Sequence, residues 1–247
     1  MHLPDAHAER DPAALATFIR ANPFGTLTTS IAHPTIDTLQ STHIVWVLDD
    51  APSEPSGLLL RGHLARANPQ AQAMIASLAA HDLEGELADD VLVLFTSQTH
   101  SYVPPRWMPA GMASGRVAPT WQFSAVQVYG RARVVHSRSE EARGETDAWL
   151  RRMVGDLTDQ EEARTHGTWR VDNAREGYTN ALIKGIVGVE VRVRKIEGRF
   201  KVGQDEADGD WTGIVEGFKG RGTQLADDMV HDMLARGQGR PACPLDA

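Results

Sequence analysis

Apolar and polar positions along the chain change period several times, and each change marks an element. After Asp11-Pro12 the run "AALATFIRAN" carries Leu15, Phe18 and Ile19 at helical spacing. Asp11 can accept from free N–H groups at the helix start, and Pro12 suits the first helical position. Asn22-Pro23 predicts its end. "FGTLTTSI" (24–31) and "TLQSTHIVWVLD" (38–49) are rich in Thr, Ile and Val and predict two strands. The proline-broken "DAPSEPSG" (50–57) predicts a loop, and "GLLLRGHL" (57–64) a third strand. Asn68 as cap and Pro69 at the first position then begin a short helix with Ala71, Met74, Ile75 and Leu78 on one face.

Beyond residue 80 the pattern favours long strands. "DDVLVLFTSQ" (89–98) predicts a buried one. Residues 99–120 hold too many Pro and Gly for regular structure, and a loop of that length in a compact domain is often functional. Its stretch "MPAGMASGRV" (108–117) suits an active-site or interface flap and equally a variable surface loop. "WQFSAVQVYGRARVVHS" (121–137) predicts a long strand with Gly130 as a bulge or close-approach point. Residues 140–157 and 172–185 predict helices. In 186–204, Val187, Val189, Val191 and Val193 share one parity, with Glu190, Arg192 and Arg194 on the other. That alternation predicts a half-buried antiparallel strand. A last helix over 224–237 closes at Gly237, followed by a loose tail. Six or so long strands with helices between them suggest a small antiparallel barrel with helical additions, an α+β or mainly β class.

Composition narrows the function. The 247 residues are 41% hydrophobic and 23% charged, with a formal net charge of −8. These values suit a soluble globular chain and argue against a broad nucleic-acid surface, though clefts can focus charge of either sign. Cys243 is the single cysteine, so neither an intrachain disulfide nor a cysteine-based zinc site is available. The N-terminus lacks the pattern of a secretory signal, and no apolar run reaches spanning length. A cytoplasmic location is the expectation. Walker, nucleophile-elbow, zincin and C-x-x-C motifs are absent. The ten histidines are dispersed, with His2 and His7 near the start and His231 on the last helix. "GFKGRG" (217–222) is Gly-rich and basic, and suits a phosphate loop less well than a surface loop.

Three constellations could carry chemistry. Arg61, His63, Arg66 and Asn68 stand where a strand passes into a helix. A helix start with arginine forks is suited to phosphate, but the same residues suit solvated charges and a helix cap. "APTWQF" (118–123) sets Trp121 and Phe123 around Gln122, an aromatic wall with a polar handle or a core cluster. Thr28, Thr29, Ser41, Thr42 and His43 place hydroxyls on neighbouring strands, for a ligand or simply through β-propensity.

In chain order, "LPDAHAERD", "FGTLTT", "STHIVWVLD", "GHLARANPQ", "VLVLFTSQTHSYVPPRW", "VAPTWQFSAVQVYGRARV" and "IKGIVGVEVRVRKIEGRFKVGQ" resemble the PaiB-like family, the FMN-binding "negative transcriptional regulators". The resemblance covers residues 1 to about 217 and leaves a C-terminal helix and tail over 218–247. It implies one domain, a six-stranded antiparallel split barrel with peripheral helices including an insertion at about 140–185. It also implies a homodimer with FMN in the interface groove. On that basis Arg66 and Asn68, with His63 nearby, become candidates for the FMN phosphate. Thr28, Thr29, Ser41 and Thr42 become ring or ribityl contacts, and Trp121 and Gln122 a contribution from the partner subunit or the pocket wall. Lys201 and Gln204 match the family's "K-x-K-L-S-Q-N", read here as "RFKVGQD", while Gly203 and Asp205 depart from it. "PTWNY" is "PTWQF" here and "SPxWY" is "PPRWM", so two aromatic hydroxyls are lost. The expectation is flavin-dependent redox chemistry on a small molecule. The alternatives are a regulator acting indirectly, without direct DNA binding, and a barrel holding haem or a deazaflavin. No residue is assigned to catalysis, no metal is expected, and Arg61 has no role.

Overall fold

The computed structural model describes residues 1–237 except Pro55, Asp82, Glu84, residues 138–140 and Glu176. The tail after Gly237 lies outside the described residues. The strands are β1 (Ala8–Glu9), β2 (Phe24–Ser30), β3 (Leu39–Val45), β4 (Val47–Asp50), β5 (Leu58–Ala65), β6 (Glu86–Thr96), β7 (Ser101–Val103), β8 (Thr120–Val135) and β9 (Ile186–Lys201). The α-helices are α1 (Pro12–Ala21), α2 (Pro69–Ala80), α3 (Pro109–Ser114), α4 (Arg143–Arg164), α5 (Tyr178–Ile183), α6 (Asp208–Lys219) and α7 (Gln224–Arg236). The chain forms two compact units, one of Met1–Leu15, Thr96–Val126 and Glu197–Ala247, the other of Ala16–Phe95 and Gln127–Ile196.

The second unit holds the barrel. Its strands run in the order β3-β2-β6-β8-β9-β5-β4. β3 and β4 are two halves of one segment, broken at Trp46. Leu39–Val45 pairs antiparallel with β2, and Val47–Asp50 pairs antiparallel with β5. One bent segment therefore joins both ends of the sheet and closes it. Counted this way the barrel has six strands, β2, β3–β4, β5, β6, β8 and β9, as expected. Nine are distinguished because β3–β4 is divided and two short strands are added: β1 pairs with β9, and β7 with β8.

Close approach dictates two glycines. A Cβ on Gly62 of β5 would lie 2.9 Å from Ile44 Cγ2, where β3 packs over β5. A Cβ on Gly130 of β8 would lie 2.0 Å from the carbonyl oxygen of Arg192 on β9. Gly130 is thus the close-approach point that its isolation within a strand pattern indicates. Leu27, Leu60, Val93, Phe95, Val128, Val187, Val189 and Val191 are buried inside. Each contributes about 1.5–3 kcal/mol over its exposed state.

α2 begins as expected: the Asn68 side chain accepts from Gln70 N at 2.8 Å, and Pro69 follows. On the outer face, Trp149 of α4 sits over β9, where a Cβ on Gly188 would lie 2.3 Å from its ring. The expected helix at 140–157 is longer, Arg143–Arg164. The one at 172–185 shortens to a 3-10 turn at Val171–Asn173 and α5.

The first unit holds β1, β7, α3, α6 and α7. Here the expectations are corrected most. Residues 99–120 contain β7, a 3-10 turn at Pro105–Trp107 and α3. α6 is not predicted by the sequence pattern, and the expected boundary at 217 falls inside it. Its apolar stripe is Trp211, Ile214, Val215 and Phe218, at helical spacing, with Asp208 and Asp210 in the first turn. Gly209, Gly213 and Gly217 conceal it, since glycine weakens isolated helices. Gly213 and Gly217 are needed by packing: a Cβ on either would lie 2.2 Å from Trp107, at its carbonyl oxygen and ring respectively. "GFKGRG" is therefore the end of α6 and its exit, not a phosphate loop. With Val103, Met108, Met229 and Met233, the α6 stripe forms this unit's core.

Candidate flavin site

The register of β2 and β3 sets Thr28 opposite Ser41, Thr26 opposite His43 and Phe24 opposite Val45. Opposed residues share a face. Thr28 also lies opposite Leu92, and Thr26 opposite Leu94, on β6. This outer face therefore carries Phe24, Thr26, Thr28, Ser41, His43, Leu92 and Leu94. The Thr28 and Ser41 hydroxyls are 2.9 Å apart and accessible. Phe24 stacks on His43 with ring centroids 5.5 Å apart, yet stays 61% exposed. Leu39, at the rim of the same face, is 70% exposed. Apolar side chains this open on one sheet face leave an area that another surface can cover.

Thr29 and Thr42 point otherwise. Thr29 is buried, and its hydroxyl accepts from Gln70 Nε2 at 3.0 Å. The same nitrogen faces the carbonyl oxygens of Leu27 at 3.2 Å and Gln40 at 3.1 Å. Gln70 is not among the expected residues, because Gln on a helix normally reads as surface. Thr42 Oγ1 accepts from Asn68 Nδ2 at 3.1 Å, so Asn68 caps α2 with its oxygen and holds β3 with its nitrogen. The structure thus sets Thr28 with Ser41 on the outer face, and Thr42, on the opposite face of β3, with Asn68 at the start of α2.

Arg66 donates through Nε to Lys184 O at 3.2 Å and through Nη2 to Ile186 O at 3.3 Å. Its other N–H donors are open to a ligand. It borders a cleft of about 430 Å³ with Ile75, Leu78 and His136, and neither Asn68 nor Thr42 lines that cleft. His63 is largely withdrawn from water, and burial pushes its pKa below 6.5, so the neutral ring is favoured. Its Nδ1 has no hydrogen-bond partner. Arg61, unassigned from sequence, proves structural. It grips Asp49 of β4 with two nitrogens and donates to Asp156 of α4 at 2.8 Å. The hydrogen bonds it donates to Asp49 come first in holding its charge, which burial alone would weaken.

The remaining expected residues belong to the first unit. Trp121 is half exposed. Gln122, its neighbour, points the other way and is buried at 1%, with neither amide atom partnered. Lys201 Nζ binds Thr120 Oγ1. Gln204 folds onto its own turn, accepting from Val202 N at 2.7 Å and donating to Phe200 O. Tyr102 and Arg221, beside Trp121, have no signal in sequence because the intervening chain is long.

These features define a six-stranded antiparallel barrel with peripheral helices and a polar, aromatic-edged outer face. Residues 1–195 match the family described as "Putative FMN-binding domain", and the chain belongs to that family. It is similar to an uncharacterized protein of Aspergillus fumigatus, at 39% identity over 96% of this chain and 98% of the other. It is also similar to the protease synthase and sporulation protein PAI 2 of Bacillus subtilis, at 24% identity over 94% and 96%. Among solved structures it is similar to the FAD and heme binding protein of Mycobacterium smegmatis, with a TM-score of 0.48 and 12% identity, covering 83% of this chain and 78% of that one.

Membership makes FMN the cofactor. The donor set fits it: two accessible hydroxyls, the Asn68 amide at a helix start, and an arginine with N–H groups to spare. Among the described residues no helix is long and apolar enough to cross a membrane, and no group of three or more His, Cys, Asp or Glu could hold a metal.

Proposed function

We propose that this chain is a dimeric FMN-binding protein that carries out flavin-dependent redox chemistry on a small molecule. The observation that supports this reading best is the outer face of β2 and β3. There, an open hydroxyl pair, Thr28–Ser41, lies beside the exposed Phe24–His43 stack, with the exposed Leu39 at the rim.

In this reading Thr28 and Ser41 hold the ribityl chain and the polar edge of the ring, while Thr42 steadies Asn68. Asn68 and the spare donors of Arg66 receive the phosphate, for which charge-assisted N–H groups are suited. Phe24, Leu39, Leu92 and Leu94 supply apolar cover, completed by the same face of a second copy. FMN supplies the electron transfer, and the protein supplies binding, orientation and exclusion of water. His63, held neutral by burial, can accept a proton but does not bring a positive charge to the phosphate.

The test is a titration of flavin-free protein with FMN, followed by flavin fluorescence, with oligomeric state measured by sedimentation. Saturable binding, weakened about tenfold or more in Thr28→Ala/Asn68→Ala, is expected, since each lost hydrogen bond contributes about 1 kcal/mol. A monomer at all concentrations, or affinity equal to that of the unaltered protein, would overturn the reading.

A further inference from the structure

The first unit contains a second built cleft that the flavin reading does not use. β7 and β8 pair with Tyr102 opposite Trp121, so both rings stand on one face, while Ser101 and Val103 turn inward. Tyr102 is 47% and Trp121 49% exposed. His100 joins them, its ring centroid 5.8 Å from that of Trp121, and the Tyr102 centroid is 6.5 Å away. These rings, with Trp107, border a cleft of about 440 Å³, within the range of small-molecule sites.

Charge gives the cleft a sign. Arg106 and Arg221 both line it, and no carboxylate does. Arg221 is steadied by one hydrogen bond, from Nη1 to Ser101 Oγ at 2.9 Å, which leaves its other N–H groups open. Arg106 lies 5.7 Å from the Trp107 ring centroid. Among the described residues neither arginine has an acidic partner. In a chain of net charge −8, two unpaired guanidinium groups beside open aromatic rings concentrate anions locally.

We infer that this cleft binds a planar aromatic ring carrying a phosphate or carboxylate. The ring stacks on Trp121 and Tyr102, and the acid group takes the guanidinium forks. Every nucleobase, flavin or nicotinamide ring has a face to offer such a platform, and arginine receives phosphate and carboxylate in two-pronged fashion. Two sources share this chemistry: FMN itself, and a separate small molecule such as a nucleotide.

The experiment is calorimetric titration of flavin-free protein with adenosine monophosphate and, separately, with FMN. The variants are Trp121→Ala, Trp121→Phe, Arg106→Gln, Arg221→Gln and Thr28→Ala/Asn68→Ala. All the cleft positions are surface positions, and the Arg221→Gln side chain retains a donor for Ser101. Adenosine monophosphate is expected to bind, to lose about tenfold in Trp121→Ala and to recover in Trp121→Phe. Each arginine change is expected to cost about tenfold and to reduce the salt dependence. Thr28→Ala/Asn68→Ala leaves this binding unchanged. FMN weakened by Trp121→Ala and not by Thr28→Ala/Asn68→Ala would support the cleft as the flavin seat and remove the outer-face reading. FMN showing the opposite pattern, with adenosine monophosphate still sensitive to Trp121→Ala, supports two separate sites. No adenosine monophosphate binding tighter than about 1 mM, or equal affinity in every variant, overturns the inference.

Discussion

Gln70 offers the sharpest test of how the barrel holds the start of α2. It is fully buried, and its Nε2 faces three acceptors: Leu27 O, Thr29 Oγ1 and Gln40 O. An amide nitrogen has two hydrogens, so at most two of the three are bonded well at once. Gln70→Leu keeps the volume and removes both. Each lost bond costs about 1 kcal/mol, and a dry acceptor adds about 1–3 kcal/mol. The substitution also removes Gln70 Oε1, itself buried without a partner, which returns about 1 kcal/mol. The net expectation is a loss of about 2–4 kcal/mol. For a chain of this size that lowers Tm by about 4–16 °C. Urea denaturation followed by far-UV circular dichroism reads it as a lower midpoint with an unchanged slope. Because Gln70 follows the Asn68 cap, FMN affinity should fall with it. An unchanged or higher midpoint would show that the unpaired oxygen offsets the three contacts, and would refute the account of Gln70 as a clamp.

Gly130→Ala should cost about 3 kcal/mol or more, because its Cβ would lie 2.0 Å from a backbone oxygen of the neighbouring strand; thermal unfolding reads it. His63 has a folded pKa below its ordinary 6.5, so the unfolded chain binds more protons there. Its contribution is full above 6.5 and is lost as pH falls from 6.5 through the depressed value; His63→Asn should flatten urea midpoints across that window. Burial would raise Asp205, but the hydrogen bond and charge of His7, 3.0 Å away, hold it below its ordinary 3.8. The stability it adds is therefore complete above 3.8 and drains below, and Asp205→Asn should reduce the slope of an acid titration in that range. Arg61→Leu leaves Asp49 and Asp156 without their shared cation, and should lower the urea midpoint by the equivalent of about 1–3 kcal/mol.

The barrel was legible because its strands announce themselves locally. Alternation of Val187 to Val193 against Glu190 to Arg194 places β9's buried face correctly, and Asn68-Pro69 starts α2 where capping chemistry says it must. α6 was illegible because local propensity and tertiary need conflict there. Gly213 and Gly217 argue against a helix in isolation, and only the presence of Trp107, over a hundred residues earlier, makes them necessary. Closure of the barrel is a similar case. Residues 38–49 read as one strand, and one strand they nearly are, but their division between two partners depends on where Gly62 lets Ile44 approach.

The candidate site obeys the same logic. Sequence proximity gathered Arg61, His63, Arg66 and Asn68 into one cluster, yet strand and turn geometry disperses their roles. Arg61 is consumed by Asp49 and Asp156, Arg66 by two carbonyls, and Asn68 by Thr42 and the helix it caps. What remains free for a ligand is set by what each fold contact leaves over: the Thr28–Ser41 pair, the second N–H of the Asn68 amide and the spare donors of Arg66. The Tyr102–Trp121 cleft shows the converse. Its rings are 19 positions apart and its arginines 115, so no spacing rule could join them, but β7–β8 pairing sets the rings side by side and Ser101 steadies Arg221 at their edge. A site made by pairing rather than by spacing keeps its function through substitutions that preserve the pairing. Exchange of Trp121 for Phe should therefore be tolerated, whereas loss of the ring should not.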